Sequence, residues 1–239
     1  MKETGKLYLV STPIGNLNDL TFRALAILKS VDLIACEDTR RTGRLLEHYE
    51  ISAPRGGNVR QLLSFHDHSG PGRLREILSL LKEGKNAALV TDSGTPLISD
   101  PGFPLVREAI REGIGLEAIP GPTALVTALL TSGLPAERFT FWGFLPAKSG
   151  ARKRELAEAR ELEHTVLFFE SPHRVQKALH EMLEIFGDRE AALCRELTKK
   201  FEEILRGTLS ALTQKAAARK LLGEIVLVVA GKGRKRVFE

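Results

Sequence analysis

The sequence predicts an α/β protein of two domains, and three observations support that prediction. Short apolar runs alternate with amphipathic segments of about ten residues, which is typical of strands joined by crossover helices. The composition, 43% hydrophobic and 27% charged over 239 residues, is that of a globular chain longer than one average domain. Pro120, Gly121 and Pro122 form the strongest interruption near the middle of the chain. We therefore expect an N-terminal α/β domain at 1–120 and a C-terminal α/β domain at 121–239.

In the first domain, apolar runs predict five strands of a mostly parallel sheet, and helical spacing of apolar residues predicts the segments between them. The predicted strands are residues 6–11, 32–36, 61–65, 87–91 and 116–119. The predicted helices are residues 21–31, 39–49, 72–82 and 104–111. Asp38 or Thr39 is placed to cap the second helix, because a side-chain oxygen there accepts from the first free backbone N–H groups.

The second domain repeats the alternation. Its predicted strands are residues 139–143, 165–169, 191–194 and 224–230, and its predicted helices are 123–132, 152–162, 173–186 and 209–220. Cys36 and Cys194 each end an apolar run, so we expect both to be buried, reduced thiols.

Composition and charge exclude several classes of protein. No run approaches the roughly 18–20 apolar residues of a membrane span, and the first residues lead into a strand without a signal-peptide core, so we expect a cytoplasmic protein with no membrane partner. The first 120 residues hold 15 basic and 15 acidic residues, so the second half carries the whole net charge of +5. Four cations lie in the last eight residues, and this short basic tail is either a solvated surface or a nucleic-acid contact.

Three loops rich in Pro, Gly, Ser and Thr follow predicted strands, at residues 11–16, 91–102 and 119–124. A simple turn needs about four residues, whereas the second loop has twelve, so we interpret it as a ligand site. Ligands of open parallel sheets bind beyond the carboxyl ends of the strands, and three such loops at one edge would form one crevice. The chain has no GxGxxG fingerprint and no GxxxxGK[ST] phosphate loop, which disfavours ordinary NAD and ATP sites.

Seven segments, in order along the chain, carry a resemblance to a known family. They are LVSTPIGNL (9–17), EDTR (37–40), SFHDH (64–68), TDSGTPLISDPG (91–102), IPGPTA (119–124), ESPHR (170–174) and RELTKK (195–200). Together they resemble the ribosomal RNA small-subunit methyltransferase I family, whose wider group has the tetrapyrrole methylase-like fold, and the match runs from about residue 5 to residue 231.

The resemblance implies transfer of a methyl group from S-adenosylmethionine to the ribose 2′-oxygen of a cytidine in the decoding region of small-subunit (16S) ribosomal RNA. It implies two α/β domains with the cofactor between them, a homodimer, and ribosomal RNA or the 30S subunit as partner. The residues that it assigns to the cofactor are Pro13, Asp92, Ser93, Gly94, Thr95, Leu97, Ile98, Thr123, Ala124, Phe169 and Arg195.

Activation of the acceptor requires a base for the hydroxyl proton or a cation beside the developing alkoxide. Asp100, Glu170 and Lys199 are the catalytic candidates, and for each the alternative is a loop-anchoring hydrogen bond or a surface ion pair. No spacing rule chooses among them.

Arg40, Arg41, His66 and His68 are the candidates for substrate binding. The two arginines open a helix, where they either reach phosphates or stay solvated. The two histidines would share one side of a strand, but no further ligand cluster follows at metal spacing, so we predict cleft lining and no metal site.

Two other functions stay open from the residues. One is a methyltransferase acting on a tetrapyrrole-like small molecule, because a single fold serves many substrates. The other is an RNA-binding ribosome-assembly factor without transfer activity. The intact strand-end loops disfavour the second.

Overall fold

The computed structural model describes residues 4–51, 61–66 and 69–233. The chain divides into two compact units, an N-terminal unit of Met1–Thr123 and a C-terminal unit of Ala124–Glu239. Both are α/β, which confirms the predicted fold class.

The N-terminal unit contains a five-stranded sheet in the order β3-β2-β4-β1-β5, in which every neighbouring pair is parallel. Its strands are β1 (Lys6–Val10), β2 (Leu33–Cys36), β3 (Gln61–Ser64), β4 (Ala87–Val90) and β5 (Gly115–Ile119). Its helices are α1 (Phe22–Ser30), α2 (Thr39–His48), α3 (Pro71–Lys82) and α4 (Phe103–Arg111), with a short 3-10 turn at Leu17–Asp19.

Strand β4 shows why this sheet is parallel and buried. Ala87 and Leu89 pack into one apolar cluster with α3 and α4, while Ala88 and Val90 pack into a second cluster with α1. Because alternate side chains point to opposite faces, both faces of the strand are covered, and a continuous apolar run results.

The C-terminal unit has a mixed sheet in the order β6-β7-β10-β8-β9. Its strands are β6 (Phe139–Phe144), β7 (Thr165–Glu170), β8 (Glu190–Arg195), β9 (Glu203–Thr208) and β10 (Ile225–Val229), and its helices are α5 (Ala124–Ser132), α6 (Ser149–Ala159), α7 (Val175–Phe186) and α8 (Leu209–Ala217). Strands β6 and β7 are parallel, β10 is antiparallel to both β7 and β8, and β9 is antiparallel to β8. Strand β9 was missed by the sequence analysis.

Both cysteines are free and buried, as predicted. Cys36 ends β2 and Cys194 lies in β8, each on a fully covered strand.

Candidate functional site

The three Pro/Gly loops of the N-terminal unit meet at one edge of its sheet. Strands β4, β1 and β5 are adjacent and parallel, so the loops that follow them start side by side. Thr12 and Gly94 exchange two backbone hydrogen bonds of 2.9 and 3.1 Å. The Ser11 and Thr95 hydroxyl oxygens lie 3.1 Å apart, and Thr95 also donates to the Pro122 carbonyl at 3.2 Å. The predicted convergence of the loops is confirmed.

Close packing holds these loops in place. A methyl group at Gly121 would lie 2.9 Å from the Ser11 Cβ, so the first and third loops approach too closely for any side chain there. In the long loop, Leu97 and Ser99 have φ angles of +73° and +63°, and Gly102 has φ +131°. Left-handed backbone at non-glycine residues is strained and is concentrated at functional sites, which favours a ligand-binding role for this loop.

Asp92, the first residue after Thr91 in the long loop, points both carboxylate oxygens at the start of α2. Its Oδ1 accepts from the Asp38 backbone N–H at 3.1 Å, and its Oδ2 lies 3.4 Å from the Arg41 guanidinium. Asp38 caps α2 by accepting from the Arg40 N–H at 2.8 Å, as the sequence predicted. Asp92 therefore links the long loop to α2.

The two predicted phosphate ligands differ in their surroundings. The Arg40 guanidinium donates two bonds to the Asp38 carboxylate, at 3.1 and 2.8 Å. This arrangement holds the pKa of Asp38 well below its ordinary value, with the hydrogen bond from the Arg40 side chain as the largest cause. Arg41 is 62% exposed, and among the described residues its one ion-pair partner is Asp92 at 3.4 Å, so it is freer to exchange partners.

Asp100 lies in the same loop and is half-buried. Burial raises the pKa of its carboxyl to about 6, and the nearby carboxylates of Glu37 and Asp92 act in the same direction. The Thr91 hydroxyl, directly after β4, is buried beside this carboxyl and acts against the rise in its pKa. A half-buried carboxyl with a pKa near neutrality is typical of a functional site.

Two cavities open at this edge of the N-terminal unit. The larger, about 470 Å³, contains the predicted residue His66 and is lined by Ser64, His66, Ser69, Gly70, Gly72, Arg73 and Glu76. The smaller, about 200 Å³, lies between the first loop, α2 and the end of β4, and is lined by Thr12, Pro13, Gly15, Leu17, Arg41, Thr42, Arg44, Leu45, Thr91 and Asp92. Arg44 was not predicted from the sequence, since nothing in its spacing sets it apart from an ordinary solvated helix arginine.

The remaining predicted residues of this unit have simpler positions. Leu97 packs against the core, with its Cδ2 2.9 Å from where a Gly102 Cβ would stand. The Ile98 N–H donates to the Thr95 carbonyl at 3.4 Å. Thr123 ends the unit, and Ala124 begins α5 of the next. His68 and most of the basic tail, residues 234–239, lie outside the described residues.

The predicted residues of the C-terminal unit share one edge of its own sheet. Strands β7 and β8 flank β10 and both run antiparallel to it, so their carboxyl ends lie together. Ile225 of β10 is paired with Glu170 on one side and with Arg195 on the other. Phe169 precedes Glu170 and makes edge contacts with Phe141 and with Phe144 of β6.

Glu170 is fully buried at the end of β7. Its Oε1 accepts from the Ser171 N–H at 2.7 Å and from the Arg174 guanidinium at 2.8 Å, while its Oε2 has no partner among the described residues. Burial raises the pKa of this carboxyl above its ordinary value despite the neighbouring guanidinium. The contact anchors the start of α7.

Lys199 and Arg195 are both engaged in ion pairs. Lys199 Nζ lies 2.8 Å from Glu196 and 3.2 Å from Glu224. Burial lowers its pKa, but the two carboxylates outweigh burial and leave the pKa raised, so this ammonium stays protonated. Arg195 contacts Glu203 at 3.3 Å and donates to the Leu222 carbonyl at 3.1 Å.

The structure adds two findings about metals and membranes. No group of three or more His, Cys, Asp or Glu side chains in residues 4–51, 61–66 and 69–233 is placed to hold a metal ion. Within those ranges, no helix has the length and apolar character needed to cross a membrane.

Comparisons with known proteins cover nearly the whole chain. A family model described as tetrapyrrole (corrin/porphyrin) methylases matches residues 6–213. A protein of Halalkalibacterium halodurans named ribosomal RNA small subunit methyltransferase I is 48% identical over 233 residues, which are 98% of this chain and 78% of that protein. A protein of Thermotoga maritima with the same name is 48% identical over 228 residues, 95% of this chain and 99% of its own.

Solved structures share the fold. The methyltransferase CobJ has a TM-score of 0.70 at 19% identity, covering 98% of this chain and 97% of its own. Uroporphyrin-III C-methyl transferase from Thermus thermophilus, complexed with S-adenyl homocysteine, has a TM-score of 0.64 at 19% identity, covering 95% and 97%. At such identity the likeness concerns the fold alone.

Proposed function

We propose that this chain, which belongs to the ribosomal RNA small subunit methyltransferase I family within the tetrapyrrole methylases, methylates small-subunit ribosomal RNA. The methyl donor is S-adenosylmethionine, and the acceptor is the 2′-oxygen of a cytidine ribose in the decoding region. The observation that carries the proposal is the 48% identity, over nearly the whole chain, to relatives that bear that name. The identification of the acceptor atom and of the nucleotide rests on the family resemblance of the seven segments.

The residues at the N-terminal edge fit a cationic donor. The Glu37 and Asp92 carboxylates lie close enough to Asp100 to raise its pKa. A positive charge among the three carboxylates is therefore electrostatically favoured. Pro13, the loop from Asp92 to Ile98, and Thr123 would hold the donor on this unit, and it supplies an electrophilic methyl group when bound.

On the C-terminal unit, the proposed donor contacts are Ala124, Phe169 and Arg195. Phe169 stacks edge-on with two other phenylalanines, which gives a preformed apolar wall. Arg195 is held by Glu203 and by the Leu222 carbonyl, so its position is fixed before any ligand arrives. Preformed walls of this kind reduce the ordering cost of binding.

The acceptor hydroxyl has to lose its proton as its oxygen forms the bond to the methyl carbon and the carbon–sulfur bond breaks. Asp100 is the best base, because a pKa of about 6 leaves it ionised at neutral pH yet more basic than an ordinary aspartate. Glu170 is buried beside Arg174 and acts in positioning α7. Lys199, kept protonated, is suited to stabilising negative charge rather than to accepting a proton.

Labelled S-adenosylmethionine tests the proposal directly. The protein is incubated with unmodified small subunits, with naked small-subunit RNA, and with a free porphyrinoid. We expect label on RNA and resistance of one phosphodiester to alkaline cleavage, because a methylated 2′-oxygen cannot attack its phosphate. Label on the porphyrinoid alone would establish the small-molecule function, and RNA binding without transfer would establish the assembly factor.

We further propose that the enzyme acts as a homodimer in the cytoplasm. The family resemblance supports both statements, and exposed apolar side chains such as Phe22, 93% exposed, and Phe103, 64% exposed, are compatible with a protein contact. Light scattering at micromolar concentration should give twice the chain mass of 26.3 kDa. A monomer mass at that concentration would contradict the dimer.

A further inference from the structure

The smaller cavity of the N-terminal unit combines two exposed cations with an apolar wall. Arg41 and Arg44 both line it, and because they are three residues apart on α2 they lie on the same helix face. Arg44 has no hydrogen-bond or ion-pair partner in the described ranges, and Arg41 has only the 3.4 Å contact to Asp92. Arg40 does not line the cavity, and its guanidinium is held by Asp38.

The other lining residues form surfaces that suit a sugar and a base. Pro13, Leu17 and Leu45 provide apolar surface, and Thr91 and Asp92 also line the cavity. Whole small-molecule sites occupy roughly 300–1,000 Å³, and this cavity has about 200 Å³. It is therefore large enough for part of a ligand, such as the sugar and base of one nucleotide.

We propose that this cavity receives one nucleotide of the RNA substrate, and that Arg41 and Arg44 bind its phosphodiester. The inference rests on the proposed function for the identity of the ligand, and it assigns Arg44 as a further binding residue. Guanidinium groups bind phosphate oxygens through planar, charge-assisted hydrogen bonds. Two of them beside one cavity hold the phosphate at its rim, while the sugar and base enter against the apolar wall.

The larger cavity is less suited to a phosphate. Glu76 stands on its wall, and the Arg73 beside it is already paired with that carboxylate at 2.6 Å. A phosphate entering there would have to displace a carboxylate at a short, direct contact. In the smaller cavity a phosphate displaces at most the 3.4 Å contact between Arg41 and Asp92.

Binding of Arg41 to phosphate would also release the Asp92 carboxylate. In the free protein that carboxylate is shared between Arg41 and the Asp38 N–H. Once Arg41 turns to RNA, one Asp92 oxygen becomes available to other ligands at the same edge. RNA and the methyl donor should then bind with positive coupling.

The test is the salt dependence of RNA binding by three single variants. Fluorescence anisotropy with a labelled oligoribonucleotide spanning the methylated region gives Kd from about 50 to 300 mM salt. Each lost phosphate contact on a single strand should reduce the slope of log Kd against log salt by about 0.7. We expect this reduction, with binding weakened several-fold to about tenfold at the lowest salt, for Arg41→Gln and for Arg44→Gln.

Arg23→Gln is the matched control, because Arg23 is an exposed arginine on α1 that does not line the cavity. It removes the same charge and should leave the slope unchanged. An equal loss of slope for Arg23→Gln and Arg44→Gln would mean general electrostatic attraction and would overturn the proposal. So would an unchanged slope for Arg44→Gln.

Two further readouts separate this inference from the proposed function. Arg44→Gln should raise KM for RNA with little change in kcat, and its affinity for the methyl donor without RNA, measured by calorimetry, should be that of the wild type. If the wild type methylates RNA and Arg44→Gln alters neither slope nor KM, the cavity assignment alone is wrong. If the wild type methylates no RNA, the proposed function fails first.

Discussion

The two units hold the loops at their sheet edges by different means. In the N-terminal unit, backbone hydrogen bonds, hydroxyl contacts and close glycine approaches join the three loops, as between Thr12 and Gly94. In the C-terminal unit, ion pairs hold the segments near the strand ends, with Arg152–Glu181 and Arg174–Glu170 buried or nearly so. The three loops of the first edge are joined by packing and backbone bonds, with a charged link from Asp92 to α2, whereas ion pairs hold the second edge.

The difference follows from sheet topology. A fully parallel sheet brings consecutive crossover loops to one edge, where their backbones can pair directly. In the mixed sheet, β10 runs against its neighbours, so a strand start lies between the two strand ends. Side chains have to bridge that gap, and long charged ones such as Arg195 do so. The N-terminal edge should therefore resist salt and pH better than the C-terminal edge.

Breaking the charged framework of the C-terminal unit should have the largest effect. Arg152 is 3% exposed, donates to both Glu181 oxygens at 2.7 and 2.9 Å, and donates to the Pro146 and Ala147 carbonyls. Arg152→Ala leaves the buried Glu181 carboxylate without its cation, although the Ser149 hydroxyl still donates to it, and we expect a loss of about 3–5 kcal/mol in the free energy of unfolding. Urea unfolding followed by the fluorescence of Trp142, the only tryptophan of the chain, reports on this unit.

Lys153→Ala is its control, because Lys153 pairs with Glu184 at the exposed surface, where such pairs contribute at most about 1 kcal/mol. The Arg152 hydrogen bond is the largest cause of the lowered pKa of Glu181. A carboxylate with a lowered pKa stabilises the fold above its unfolded pKa and loses that contribution as the pH falls. The difference in the free energy of unfolding between the wild type and Arg152→Ala should therefore become smaller at acid pH. A difference that does not change with pH would contradict the ion-pair account.

Breaking the packed edge of the N-terminal unit should cost somewhat less. Gly102 has φ +131°, and a methyl group there would lie 2.8 Å from the Leu89 Cδ2. Gly102→Ala combines backbone strain with overpacking, and we expect a loss of about 2–4 kcal/mol. The exchange rates of the backbone amides in β4 measure this loss of stability. Gly113→Ala is the control, since Gly113 has φ +69° with open space around it, and it should cost only about 1 kcal/mol.

Much of this architecture follows from patterns within the sequence. Parallel strands covered on both faces read as short apolar runs, so residues 87–91 were predicted within one residue of β4. The convergence of the three loops followed from the same reasoning, because parallel strands share a carboxyl edge. Strand β9 was missed because its residues Glu203 and Arg206 interrupt the apolar pattern of a half-exposed edge strand.

Pairings between distant elements could not be predicted. Arg152 precedes a run of glutamates on α6, a pattern that favours ion pairs along that helix, yet it pairs with Glu181 on α7. Asp92 was predicted at a strand end, yet its contacts with Asp38 and Arg41 depend on how α2 starts beside β4. Side-chain partners across elements depend on tertiary packing, which single-sequence patterns do not encode.

Asp100 tests whether the packed edge also carries chemistry. If Asp100 takes the acceptor proton, Asp100→Asn should lower kcat at least about 100-fold. The wild-type rate should rise with pH through about 6, the raised pKa of this carboxyl, and then level off. A carboxyl whose pKa is raised on folding destabilises the folded state above that pKa. The asparagine variant should therefore be at least as stable as the wild type at pH 7.5, by up to about 1 kcal/mol after screening by water.

A structural role for Asp100 gives a different set of results. Asp100→Asn would then retain its rate, and the wild-type profile would show no inflection near pH 6. A variant that loses both activity and thermal stability at pH 7.5 would contradict the assignment as a base, since the carboxyl would be anchoring the loop.

The smallest expected effect is on donor affinity. Asp92→Ala should weaken binding of S-adenosylmethionine about tenfold, the loss of one charge-assisted hydrogen bond, as measured by calorimetry. The structure offers a second route to the same loss, because Asp92 also holds the start of α2 through the Asp38 N–H. Asp38→Ala distinguishes the two: it removes the cap of α2 but leaves the Asp92 carboxylate in place. If Asp92 contacts the donor, only Asp92→Ala loses affinity. If both variants lose it equally, Asp92 acts by positioning the helix, and if neither does, it has no part in the donor site.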